Sequence, residues 1–161
     1  MTTHNKEELI EELGVHFENL YHLPPLATRI YAILILNGND GLTFEELMGL
    51  TEASKSSVST SINLLLQTSK IEYYTKPGDR KRYFKKKKDH LKLRLSNYTT
   101  IIDKEIGLFQ KTSEFMKATD LKAYKDNLCY TSIYIDHLHQ VRKTLEETLQ
   151  KLEKVSINPQ K

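Results

Sequence analysis

Apolar positions along the chain form a series of stripes separated by turn-forming residues. Leu9, Leu13, Phe17 and Leu20 recur at helical spacing between residues 5 and 22, which predicts an amphipathic helix. Asn5 is placed to cap it, with Glu8 three residues on. Pro24-Pro25 ends that helix and opens the next, since proline is tolerated in a first turn. The second helix, Leu26 to Leu36, is apolar on most sides and predicts a central, buried element. Asn37-Gly38-Asn39-Asp40-Gly41 stops it.

Thr43 and Glu46 have the spacing of a capping box, so a short helix carrying Phe44, Leu47 and Leu50 is expected after Thr43. A break at Thr51-Glu52-Ala53 follows, and Ser54 caps a further helix to about Gln67. Two short helices joined by a tight turn outline a helix-turn-helix. In the second of them Val58, Ile62 and Leu65 share one face. At about 100° per residue, Ser56, Thr60, Asn63 and Gln67 fall on the opposite face, flanked by Ser57 and Ser59. Ile71 to Thr75 then reads as a strand, Lys76-Pro77-Gly78-Asp79 as a turn, and Arg80 to Lys85 as the returning strand of a hairpin. A two-stranded hairpin is marginal alone. It must pack on the helices, through Tyr73 or Tyr74 with Tyr83 or Phe84.

From about Asp89 to Val155 the pattern is helical. Ile102, Ile106, Phe109 and Met116 make one stripe, and Tyr134, Leu138, Val141, Leu145, Leu149 and Leu152 make another. Ala118-Thr119-Asp120 is the expected break, with Asp120 as a cap, and Ser156 to Lys161 is expected to fray. The fold class is therefore mainly α: a winged helix-turn-helix with a small two-stranded β wing and long N- and C-terminal dimerisation helices. The divisions are 1–23 (N-terminal helix, part of a dimerisation region), 24–88 (winged helix-turn-helix) and 89–161 (dimerisation helices). A small head cannot cover these long stripes, so pairing across a two-fold axis through Leu9, Leu13, Phe17, Leu138, Val141, Leu145 and Leu152 is expected. An elongated monomeric helical hairpin is the alternative.

Charge sharpens this picture. The 161 residues carry a net +3. Between Ser54 and Arg94, twelve Lys/Arg face three acids, a local +9 that leaves −6 for the rest. A charge run is ordinarily a solvated face. Here it flanks a helix face that is small, polar and without a carboxylate, which suits close approach to a major groove. The candidate DNA contacts are Ser54, Lys55, Ser56, Ser57, Ser59, Thr60 and Asn63 on the helix, with Lys76, Arg80, Lys81 and Arg82 on the wing. A basic wing tip suits a narrow minor groove. Asp79 either pairs with Arg80 or serves the turn alone.

Other chemistry is sparse. The six histidines show no metal-ligand spacing, and no nucleophile elbow, phosphate loop or dinucleotide fingerprint is present, so neither an enzyme, a metal nor a cofactor is expected. A single cysteine, Cys129, permits no intrachain disulfide and points to a reducing, cytoplasmic setting. It reads as a buried thiol, with a redox switch as the alternative. No apolar run approaches the roughly 20 residues of a membrane span, and the polar, acidic start of the chain is unlike a signal or transit peptide.

The order of a Thr43-capped helix, Ser54-Lys55-Ser56-Ser57-Val58-Ser59, a strand and Gly78-Asp79-Arg80-Lys81 resembles the MarR-type winged-helix regulators. Pro25-Leu26-Ala27-Thr28-Arg29-Ile30-Tyr31 and Pro77-Gly78-Asp79-Arg80-Lys81 are most similar to their glycine-betaine-repressor-like (GbsR-type) branch. The resemblance covers about residues 23–85. It implies a homodimer on palindromic double-stranded operator DNA, usually repressing. It also implies major-groove contacts from Lys55, Ser56, Ser59, Thr60 and Asn63, a minor-groove Arg80, and in some members a small-molecule effector. Ser56 departs from a common glycine, and Thr68-Ser69-Lys70 from a common leucine or glycine, which leaves the operator sequence open. The rival expectation is a winged-helix protein-interaction module without specific DNA binding.

Overall fold

In a computed structural model of the chain, which describes residues 5–157, the elements run α1 (Lys6–Tyr21), α2 (Pro25–Leu36), β1 (Leu42–Thr43), α3 (Phe44–Thr51), α4 (Lys55–Gln67), β2 (Ile71–Thr75), β3 (Arg82–Lys86), α5 (His90–Thr119) and α6 (Leu121–Ile157). The frayed end expected at 156–161 lies largely outside the described residues. The chain divides into two compact units, Met1–His90 and Leu91–Lys161.

In the first unit, the caps fall where the side chains allow them. Asn5 Oδ1 accepts the Glu7 amide at 3.2 Å, Ser54 Oγ accepts the Ser57 amide at 3.2 Å, and proline occupies the first turn of α2. Thr43 and Glu46 form the reciprocal box: the Thr43 amide donates to Glu46 Oε2 at 2.7 Å and the Glu46 amide donates to Thr43 Oγ1 at 3.3 Å. The α2 helix is buried along most of its length, as its all-round apolar composition predicts. It packs against α1, α3, α4 and β3, and with Phe17, Leu47, Val58, Ile62, Leu65, Ile71 and Phe84 it forms one core. The α1 helix is clamped to α2 by Arg29, which pairs with Glu11 at 2.9 Å and also with Glu18.

The sheet has a third strand that periodicity did not announce. Its order is β1-β3-β2, antiparallel throughout. Leu42 and Thr43 pair with Phe84 and Tyr83, so the backbone leading into α3 is stitched to the wing. The returning strand starts at Arg82 rather than Arg80, and Arg80 and Lys81 connect the turn to it. The wing is anchored by Ile71 and Phe84, at 3% and 5% exposure. Of the four aromatic residues expected to make that contact, only Phe84 is buried, and Tyr73 is exposed.

In the second unit, Asp120 caps α6 by accepting the Ala123 amide at 2.9 Å. The α5 and α6 helices run antiparallel, joined by Lys92–Glu153 at 2.9 Å, by Arg142–Asp103 and by the Tyr134 hydroxyl donating to Glu105 at 2.7 Å. Ile106 and Leu138 are buried, and Phe109 meets Tyr134 edge-on. Ile101, Leu108 and Phe115, seven residues apart on α5, are exposed. Among the described residues no helix is long and apolar enough to cross a membrane.

Candidate nucleic-acid interface

The α4 helix turns one face inward and one outward. Val58, Ser61, Ile62 and Leu65 are buried, whereas Ser54, Lys55, Ser56, Ser57, Ser59, Thr60 and Asn63 are all exposed. The exposed face carries no carboxylate. At its N-terminus Ser54 Oγ lies 3.0 Å from Ser56 Oγ and 2.9 Å from Ser57 Oγ, a hydroxyl cluster over the first turn. Such an end attracts phosphate oxygens, because its outward amides and the helix dipole both favour negative charge. Glu52, in the left-handed region at φ 51°, closes α3 and allows the tight turn into α4.

The wing tip is a built turn. The Asp79 amide donates to the Lys76 carbonyl at 3.0 Å, and Gly78 supplies φ 79°, a value a side chain would strain. Asp79 then uses both carboxylate oxygens inside the wing. Oδ1 accepts the Lys81 amide at 2.9 Å and Oδ2 accepts the Tyr83 hydroxyl at 2.6 Å. These bonds, the Tyr83 one foremost, hold the Asp79 carboxyl below its ordinary value. The same bond pushes the Tyr83 phenol up to about 12. Asp79 therefore serves the turn, and among the described residues it makes no ion pair with Arg80.

Most other wing cations are engaged on the sheet. The Lys76 ammonium sits 4.0 Å from the Tyr83 ring centroid, Arg82 4.7 Å from that of Tyr73, and Lys85 5.1 Å from that of Tyr74. Lys85 also pairs with Glu72 at 3.4 Å. Lys76, Arg80, Lys81 and Arg82 are all exposed. A cleft of about 380 Å³ between α4 and the wing brings Ser59 and Asn63 together with Arg80, Lys81 and Arg82. Ser56, Ser57 and Thr60 line a second concavity, beside Pro24 and Pro25. Sequence reasoning missed Phe44 and Glu45, which also line the first cleft. Their place in the first turn after the Thr43 cap was the available signal.

Of the residues expected at a dimer interface, Phe17 and Leu138 are each 6% exposed within the chain itself, Phe17 against Tyr21 and Tyr31. Leu9, Leu13, Val141, Leu145 and Leu152 are half-buried. Cys129 is exposed, not buried as expected. Among the described residues no cluster of three or more His, Cys, Asp or Glu is placed to hold a metal ion. His4 lies outside the described residues.

No family model matches the sequence. Over 78 residues the chain is 33% identical to the HTH-type transcriptional regulator MmpR5 of Mycobacterium tuberculosis, a match that takes in 48% of this chain and 47% of that protein. The chain thus aligns with about half the length of this curated relative. A solved structure described as a transcriptional regulator superposes with a TM-score of 0.61 at 20% identity, over 92% of this chain and 98% of that one. The fold is therefore that of a known transcriptional regulator. A variant of Staphylococcus aureus MepR bound to an oligodeoxyribonucleotide matches with a TM-score of 0.44 at 19% identity, over 74% of this chain and 91% of that one.

Proposed function

We propose that this chain is a sequence-specific DNA-binding regulator of transcription, of the MarR type and its GbsR-like branch, acting as a homodimer on a palindromic operator. The observation that carries the reading is the shared cleft: the carboxylate-free face of α4 and the basic wing tip open onto one concavity. In this reading the α4 N-terminus and Lys55 neutralise phosphate, Ser59, Thr60 and Asn63 meet base edges, and Arg80 enters the adjacent minor groove. The exposed heptad spacing of Ile101, Leu108 and Phe115 supports pairing with a second copy, because a stripe repeating every seven residues buries well only against another helix. Repression follows from occupancy, since a dimer seated on a promoter blocks polymerase.

The test is binding to duplex DNA from the gene's own upstream region, beside scrambled DNA, across a salt series. The expected result is selective binding at two chains per duplex, with log affinity falling linearly against log salt. Arg80→Ala should weaken binding and lower the salt slope by about one if Arg80 neutralises a phosphate. Equal, weak binding to both duplexes would sink the regulator reading and favour protein docking through the same fold.

A further inference from the structure

We propose that Tyr83 is a positioning residue for the DNA-facing wing tip: through Asp79 it holds the turn that presents Arg80 toward α4, a role that rests on the DNA-binding reading above. Tyr83 stands on the central strand of the sheet, opposite Thr43 of β1 and Tyr74 of β2. Its ring stacks on Tyr74, with centroids 5.5 Å apart. Its backbone neighbour Thr43 is half of the capping box that starts α3. Tyr83 therefore joins the helix-turn-helix to the wing tip through a single residue, by backbone at one end and by hydroxyl at the other.

The hydroxyl matters because of what Asp79 would otherwise do. A carboxylate beside Arg80, on a surface meant for DNA, repels phosphate and competes for the guanidinium. Here both of its oxygens are occupied, by Tyr83 at 2.6 Å and by the Lys81 amide at 2.9 Å. The Lys81 bond fixes the backbone on the far side of Arg80, while Gly78 and the Lys76 carbonyl fix the near side. Among the described residues Arg80 makes no ion pair of its own. An acid that looks opposed to DNA binding becomes an organiser of the arginine next to it.

Three variants of the full chain test this: Tyr83→Phe, Asp79→Ala and Arg80→Ala, each checked by far-UV circular dichroism and then titrated on the operator. Tyr83→Phe keeps the stacked ring and removes one hydroxyl. It should weaken operator binding roughly tenfold, the scale of one charge-assisted hydrogen bond. Adding it to Arg80→Ala should cost nothing further, because the two act through one group. Preference for A·T over G·C in the flank beside the wing should fall in both, an effect that a general loss of stability does not produce. Asp79→Ala gives an opposed sign. Removing an acid favours DNA by charge alone, whereas the lock requires weaker binding.

Amide exchange at Lys81 in the free protein should quicken in Tyr83→Phe. Tyr83→Phe binding like wild type, losses that add to Arg80→Ala, or tighter binding by Asp79→Ala each overturn the proposal while leaving DNA binding intact. A wild-type protein that binds no duplex overturns the DNA reading itself, and the proposal with it, even where Lys81 exchange shows the lock to be formed.

Discussion

Gly41 is the position where the smallest substitution meets the least room. A Cβ added there would lie 2.9 Å from Tyr74 Cε1, 3.0 Å from the Phe84 carbonyl oxygen and 3.0 Å from Tyr83 Cβ. Ordinary non-bonded contacts sit nearer 3.5–4.0 Å. The Tyr74 ring is held by its stack on Tyr83 and by Lys85, and the Phe84 carbonyl is backbone of the central strand. Relief therefore requires β1 to lift from β3. Overpacking of this kind costs about 1–3 kcal/mol, offset by about 0.4–1 kcal/mol from the stiffer unfolded chain. Gly41→Ala should thus destabilise the first unit by up to roughly 2.6 kcal/mol, the balance of those terms. Gly49, inside α3 with nothing within 4 Å of a Cβ, is the control: there alanine should stabilise by about 0.5–1 kcal/mol. Urea titrations followed by far-UV circular dichroism compare the two midpoints with wild type. A Gly41→Ala midpoint at or above wild type would refute the steric reasoning.

Three further outcomes are expected. The Glu46 carboxyl is held below its ordinary 4.5, first by the Thr43 amide and then by the Thr43 hydroxyl, so its contribution is present above that value and is lost as pH falls below it; the stability gap between wild type and Glu46→Gln should be level above pH 4.5 and narrow beneath it, and a gap that stays level in acid would contradict the box. Tyr83 titrates near 12, raised chiefly by its bond to Asp79, so that bond's contribution is intact below the ordinary 10 and is lost as pH rises through about 12; a phenolate absorbance titration should lose its latest phase in Tyr83→Phe. Arg29→Met removes the clamp between α1 and α2, whose arginine side chain is 20% exposed, and should cost about 1–3 kcal/mol in the same urea assay, between the exposed and buried limits for ion pairs.

Much of the fold was legible because its boundaries rest on local chemistry. Asn5, Thr43, Ser54 and Asp120 each cap the helix they precede, and Pro77-Gly78 makes the turn that its residues favour. What stayed hidden depended on tertiary partners. Two residues, Leu42 and Thr43, have no periodicity, so β1 exists only through its pairing with β3. Tyr83 and Phe84 are adjacent aromatics, and alternation alone cannot tell which one faces the core; the burial of Phe84 against the helices does. An apolar stripe does not say whether its partner is in the same chain: Phe17 and Leu138, both expected at a dimer interface, are each 6% exposed within this chain alone. Cys129 lies between Leu128 and Tyr130, all three exposed, which their apolar character does not foretell. In the candidate site, the residue types and their faces could be read, but the direction of the Asp79 carboxylate could not. Its neighbour in sequence is an arginine, and its partner in space is a tyrosine four residues on.

The central place of α2 bears on how the head assembles. Because α1, α3, α4 and β3 all dock on that one helix, it supplies the core surface that the outer elements share. The head should then gain and lose its structure in one cooperative step, with α2, buried along most of its length, as the last backbone to exchange its amide protons and the exposed wing tip as the first. Since α2 precedes β3 in the chain, the ribosome releases the scaffold before the strand that completes it, and the cooperative step must wait for the basic hairpin.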